Sequence, residues 1–343
     1  MTLRGFIVSL SILLLALSSL ETSAQTRHYY IAAEETLWDF APSGQNLVHC
    51  HHGPAPCELP EPWTKSHAFP AVRFVEYRDA ALKTPKPQPE WLGILGPIIR
   101  VEVGDTVKIH FCNRTSGGAA YGMHPHGLRY TKDNEGAHYY GANSGVAPGA
   151  GAEVMPGGCF DYTWIADADS GPAFGDLSSK VWWYHSHISE PADTNQGLLG
   201  PIIVTRKGFA RKDGSPRDVD REFVTAFMVF DKLDGEEAGL MHSINGYIFG
   251  NLKGLIAHEG EKVRWHVLGM GNEVDLHTPH WHGKTLRVGG SVAAQRTDVV
   301  QILPAGMMTA DMMADNPGEW LYHCHVADHI DAGMVTTYEI LKE

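Results

Sequence analysis

Near the C-terminal end of the chain, Leu321–Met334 reads LYHCHVADHIDAGM. Alternate side chains of an extended segment face opposite sides, so Cys324 points one way while His323 and His325 point the other. His329 follows the cysteine by five residues and Met334 by ten. A thiolate, two imidazoles and a weak axial thioether make the ligand set of a blue-copper electron-transfer site. The second imidazole has to come from elsewhere in the chain, and His277 is the candidate.

The remaining histidines extend this chemistry. His124 and His126, His185 and His187, His280 and His282, and His323 and His325 are each separated by one residue. That spacing puts both rings of a pair on one face of an extended segment. Four such pairs supply eight neutral imidazoles, suited to copper and more than one ion needs, so they imply a cluster. Cys324 lies between two of these rings and therefore joins a one-electron site to the cluster through the chain itself. Strand rise plus side-chain reach places the two about 10 Å apart. Such an arrangement collects electrons singly and delivers them to an acceptor that takes several, and reduction of O2 to water takes four.

A second His-Cys-His stands in LVHCHHGPAPCELP, Leu47–Pro60. The same offsets from Cys50 reach Ala55 and Pro60, which ligate nothing, and the Pro/Gly-rich setting reads as a loop. Five cysteines leave one over once pairs are made. With Cys324 reserved for metal, Cys50 pairs with Cys57, and Cys112 with Cys159 on neighbouring strands. An auxiliary metal site using His49, His51 or His52 is the lesser alternative for the loop.

Short strands must carry these side chains. GPIIRVEVGDTVKIHFCN (Gly96–Asn113) and GCFDYTWIA (Gly158–Ala166) alternate or are β-branched and lie between Gly/Pro/Asp-rich turns, the pattern of an antiparallel β-sandwich. The two halves echo each other. GPIIRVEVGDTVKIHFCNRT leads to HPHG as GLIAHEGEKVRWHVLGMGN leads to HTPHWHG, and WWYHSH matches WLYHCH. The chain is thus read as all-β, two tandem sandwiches over 25–208 and 209–343, with Arg206–Glu222 as the linker. Residues 1–24 read as a secretory signal peptide cut after Ala24, which places the mature protein outside the cytoplasm, periplasmic or extracellular. No later stretch has the length of a membrane span, and a net charge of −13 disfavours nucleic acid. The Met-rich AGMMTADMMAD, Ala305–Asp315, falls where a strand belongs and reads as packing rather than as a Cu(I) site.

HPHG, HSH, HTPHWHG and HCHVADHIDAGM resemble the four copper motifs of the multicopper oxidases. HYYIAAEETLWDFAP, WLGILGPIIRVEVGD, NQGLLGPIIV and MHSINGYIFGN are similar to the ceruloplasmin and hephaestin type of that family, over almost the whole mature chain. The resemblance implies cupredoxin-like Greek-key domains and four copper ions per functional unit. Type 1 copper would take His277, Cys324, His329 and Met334; type 2 copper His124 and His280; and the type 3 pair His126, His185, His187, His282, His323 and His325. The first domain reads His185-Ser186-His187 and, lacking the thiolate, would hold no blue copper. Two-domain members of the family imply a homotrimer with its clusters between subunits.

The resemblance also implies a substrate-metal site beside the type 1 position, from Glu237, His242, Glu273 and Asp328, which would favour Fe(II) or Cu(I) as reductant. Laccase-type oxidation of phenols or aromatic amines at the edge of His277 or His329 is the alternative. Copper nitrite reductase, likewise two sandwiches in a trimer, is a remote one, because the pairs 185/187 and 323/325 exceed its three-histidine copper. A copper carrier or store is disfavoured for the same surplus.

Overall fold

A computed structural model describes residues 24–48, 50, 53–141, 145–233, 239–272, 275–290 and 294–342. The expected signal peptide, apart from Ala24, lies outside them, as do His49, His51 and His52. The chain begins with β1 (Thr26–Asp39), β2 (Gln45–Asn46), β3 (Cys57–Glu58), β4 (Ala68–Tyr77), β5 (Ile99–Glu102), β6 (Thr106–Asn113) and β7 (His124–Pro125). There follow β8 (Cys159–Ile165), β9 (Ser179–His185), the helix α1 (Glu190–Gln196) and β10 (Leu199–Thr205). The second half holds β11 (Arg221–Asp231), β12 (Leu240–Ile244), β13 (Ile256–His258), β14 (Lys262–Gly269), β15 (Pro279–Trp281) and β16 (Leu286–Val288). It ends with β17 (Gln295–Thr297), β18 (Met307–Met313), β19 (Gly318–Cys324), α2 (Ala327–Asp331) and β20 (Val335–Leu341).

These strands form two sandwiches of matching topology. The first stacks sheet β4-β1-β6-β8 on β5-β10-β9-β7, and the second stacks β12-β11-β14-β18-β16-β17 on β13-β20-β19-β15. In each, the first strand runs parallel to a later one, β1 beside β6 and β11 beside β14. Alternation explains the local structure of β6. Val107, Ile109 and Phe111 are buried in the first core, while Lys108 faces out. The Met-rich stretch is β18, paired along its length with β14.

The strand β14 is buried on both faces. Val263, Trp265 and Val267 enter the core of the second sandwich. Arg264 and His266 turn toward the first. Arg264 donates to Ser178 Oγ at 2.6 Å and to Asp311 Oδ1 at 2.6 Å, and His266 Nε2 lies 2.9 Å from Glu222, which also holds Arg100 at 2.5 Å. Beside these pairs, Trp183, Leu199 and Ile203 pack with Val224, Ala226 and Phe230 in one apolar cluster across the seam. The charged segment expected as a linker is shorter than its composition suggested. Arg221 and Glu222 already belong to β11, and the Gly208 and Ala210 amides donate to Glu102 of β5's end. Disulfides join Cys50 to Cys57 and Cys112 to Cys159, leaving Cys324 as the free, buried thiol. No helix among the described residues is long and apolar enough to cross a membrane.

Candidate metal centres

The strand β19 ends at Cys324, and α2 starts three residues later, bringing His329 back beside the sulfur. His277, from the turn before β15, meets them: its Nδ1 lies 3.2 Å from His329 Nδ1, which is 3.6 Å from Cys324 Sγ. All three are buried, and their ligand atoms lie within 4.8 Å of one another. Met334 is fully buried in the same cluster, and its carbonyl accepts the Cys324 amide at 3.0 Å. The Thr278 amide donates to Cys324 Sγ at 3.3 Å. Burial alone would raise the thiol's pKa, but its contacts with His277 and His329 outweigh that and bring it down to about 6. A thiolate at neutral pH, two Nδ1 atoms and a thioether fit copper.

One residue of this pocket escaped the sequence reading. The buried carboxylate of Asp275 takes His277 Nε2 at 3.0 Å, the Val229 amide at 2.8 Å and the Asn272 amide at 2.9 Å. Holding Nε2 as the protonated nitrogen leaves Nδ1 free to face the sulfur. Its signal was only Asp-x-His, too short to separate from chance.

The eight paired imidazoles form two quartets rather than one. In the first, His124 of β7 stands across from His185 of β9, and His126 Nε2 lies 3.1 Å from His185 Nε2. His187 completes the group, its ring 5.1 Å from that of His124. The second repeats this geometry. His280 of β15 faces His323 of β19, His282 Nε2 lies 3.0 Å from His323 Nε2, and His325 sits 5.2 Å from His280. Among the described residues, ring contacts run within each quartet and none joins the two.

Burial favours the neutral form of the His124, His126, His185, His280 and His323 rings. The His126, His185 and His323 pKa values are pressed down to about 4, chiefly by desolvation, with neighbouring imidazoles adding to it. Two neutral imidazoles facing each other at about 3 Å can share at most one N–H, and a cation between them satisfies both lone pairs. Each quartet therefore fits copper. A glycine shapes each one. Gly127 and Gly283, directly after His126 and His282, have φ of +70° and +71°, and a Cβ there would lie 2.2 Å and 2.7 Å from the rings of Trp182 and Trp320.

His242 and Asp328 lie beside the thiolate pocket. The His242 ring is 4.7 Å from that of His329 and its pKa is lowered to about 4, first by burial and then by His329. Asp328 is exposed on α2. Glu237 and Glu273 lie outside the described residues. His110, Cys112 and Cys159 also cluster, but both sulfurs are spent in a disulfide and the site offers no thiolate.

Two sandwiches of this strand order, one with a thiolate pocket and both with imidazoles at strand ends, define a tandem cupredoxin-type protein. Two family models described as multicopper oxidase match residues 92–208 and 225–343. Ferroxidase HEPHL1 of Homo sapiens is 36% identical over 92% of this chain and 29% of its own length. Hephaestin of Rattus norvegicus is 34% identical over 98% and 31%, and ceruloplasmin of Homo sapiens 33% identical over 95% and 32%. The chain belongs to the multicopper oxidase family of oxidoreductases, and it spans about a third of the length of these relatives. In fold it resembles a crystallised multicopper oxidase (TM-score 0.64, 20% identity, 92% of this chain and 89% of that one). It also resembles a copper nitrite reductase from Nitrosomonas europaea (TM-score 0.62, 18% identity, 93% and 94%).

Proposed function

We propose that the chain couples one-electron oxidation of a reductant at His277, Cys324, His329 and Met334 to four-electron reduction of O2 where two histidine quartets meet. The observation that carries this reading is the placement of Cys324. Its sulfur belongs to the buried pocket, while the residues bonded to it on either side, His323 and His325, belong to a quartet. Copper, when bound, would supply electron acceptance at the thiolate and O2 reduction at the quartets. Type 1 copper would sit in the thiolate pocket. His124 and His280 would hold type 2 copper, and His126, His185, His187, His282, His323 and His325 the type 3 pair, four ions per unit. The backbone from Cys324 to its neighbours is the electron path.

Each quartet is half of such a cluster, so the first quartet of one chain would meet the second of another in a ring-closing homotrimer. Exposed Tyr139, Tyr140 and Val146 support this. Tyr139 stands beside the first quartet, where its Oη donates to Glu135 Oε1 at 2.9 Å and the Glu135 carbonyl takes His124 Nδ1 at 2.8 Å. Tyr140 packs on His138, whose amide donates to the His187 carbonyl at 3.4 Å, and the Val146 carbonyl takes the Gly141 amide. Two disulfides support export to an oxidising compartment. The names of the relatives and the His242 ring lying 4.7 Å from that of His329 favour a metal ion, Fe(II) or Cu(I), as reductant. Phenol oxidation at the same pocket is the second reading. The test is steady-state O2 uptake by the copper-loaded protein with Fe(II), Cu(I) and a phenol side by side. Uptake with the metal ions well above that with phenol is expected; no uptake with any of them sinks the oxidase reading.

A further inference from the structure

The seam between the two sandwiches carries a cleft that the copper chemistry does not use. A cavity of about 330 Å3 is walled by Pro87, Pro89 and Trp91, by the polar side chains of Arg73, Gln88 and Arg100, and by Glu76 and Lys86, whose charges cancel in an ion pair. A second cavity of about 270 Å3 shares Trp91 and Arg100 with it and reaches Arg211, Asp220 and Glu222. Volumes of this order suit a small molecule.

Arg73 lacks a counter-ion. Its Nη2 donates to the carbonyls of Gly93 and Leu95 at 3.0 and 3.2 Å, and its guanidinium lies over the Trp38 ring at 5.2 Å. Among the described residues it forms no ion pair with a carboxylate, and its buried Nε has no hydrogen-bond partner. Burial pushes its pKa below the ordinary arginine value, and Tyr247, Tyr184 and the Glu34 carboxylate offset only part of that loss. The clamp on the loop does not account for it. Gln88 Nε2 donates to the same two carbonyls at 3.0 and 2.9 Å, so the loop is held without the guanidinium. Arg100 spends Nη1 on Glu222, one of five donors. Arg211 likewise meets backbone carbonyls and a serine hydroxyl but no carboxylate. In a chain of net charge −13, three guanidinium groups gathered along one cleft stand against the overall balance.

We propose that the cleft binds a small monocarboxylate with a flat apolar body, its carboxylate taken by Arg73 and Arg100 and its body laid against Trp91 and the two prolines. The guanidinium fork matches a carboxylate in geometry, Lys86 is already taken by Glu76, and the prolines and Trp91 offer an apolar surface to a flat body.

Benzoate is the probe, titrated into the copper-loaded full chain by calorimetry, with benzyl alcohol as the neutral analogue and sulfate as the bare anion. Saturable benzoate binding is expected, with benzyl alcohol and sulfate each weaker by about tenfold or more, the worth of one charge-assisted contact. Arg73→Gln should weaken benzoate by a similar factor. Val75→Trp, which fills the cleft from β4, should abolish binding with the melting temperature retained. A crystal soak locates the molecule directly in the unaltered protein. No saturable benzoate binding, equal binding of benzyl alcohol or sulfate, unchanged affinity in Val75→Trp, or benzoate found elsewhere overturns the proposal.

Discussion

Ser186 stands in the first sandwich where Cys324 stands in the second, and one backbone contact marks both places. The Gly122 amide donates to Ser186 Oγ at 3.3 Å, and the Thr278 amide to Cys324 Sγ at 3.3 Å. Around Ser186 a hydrogen-bonded network replaces the sulfur and imidazole donors. Its hydroxyl donates to buried Asp193 at 2.6 Å, and Tyr121, three residues before His124 as His277 is before His280, donates to Gln196 at 3.1 Å. Cys324→Ser should therefore abolish the intense visible absorption of a copper–thiolate bond. Ser186→Cys should not create a second such band, because Pro191 and Gln196 occupy the offsets of His329 and Met334. Visible absorption and electron paramagnetic resonance of the copper-loaded variants check both.

Asp275 should tune the thiolate pocket without touching a metal. Its carboxylate strengthens His277 as a donor through Nε2, which would stabilise the oxidised form of a copper ion held there. Asp275→Asn is expected to raise the reduction potential and to alter the resonance spectrum, measured by redox titration. Asp275→Ala also strands the Val229 and Asn272 amides and should cost about 2–3 kcal/mol in chemical denaturation.

The proposed meeting of the quartets between chains predicts that they complement each other. A chain with His124→Ala and His126→Ala, and one with His280→Ala and His282→Ala, are each expected to be inactive. Mixed by dissociation and reassembly, they should recover a fraction of the O2 uptake, since some interfaces then pair two intact quartets. Native mass spectrometry should give three chains with copper. Recovery absent from mixed trimers would place the cluster within one chain.

His242→Ala and Asp328→Ala should separate the two reductants. Both residues lie beside His329, on β12 and α2. Fe(II) turnover is expected to fall by about tenfold or more, equivalent to about 1.4 kcal/mol of lost binding, while phenol turnover holds. Equal losses for both substrates would remove the metal-site reading.

Acid should loosen the seam between the sandwiches through Glu222. Burial would raise its pKa, but Arg100 and His266 outweigh that and hold it at about 2. A depressed carboxylate contributes fully above its unfolded value of 4.5, and the contribution is lost as pH falls toward 2. His266, also lowered by burial, acts in the same sense, its share being lost as pH falls below 6.5. Glu222→Gln should destabilise the protein at pH 7 by up to about 3 kcal/mol and flatten the acid limb of stability against pH, read from denaturation midpoints.

What the sequence determined by itself was the inventory of donors and their strands. The repeated His-x-His spacing, the single His-Cys-His with donors at offsets of five and ten, and the alternation of β6 and β8 are local patterns, and local patterns survive without knowledge of the rest of the chain. Tertiary structure alone decided who meets whom. His277 reaches Cys324 because β15 pairs with β19 in a register that puts Pro279 opposite the cysteine, and Asp275 is recruited by the same turn. The helices α1 and α2 were missed because each is only seven or five residues long, too short for periodicity to register, yet α2 is what folds His329 back onto the sulfur. The separation of the two quartets was equally invisible. Spacing along a chain carries no distance between two sandwiches; that distance is set by the Trp183 cluster and by the Arg264 and Glu222 pairs at the seam.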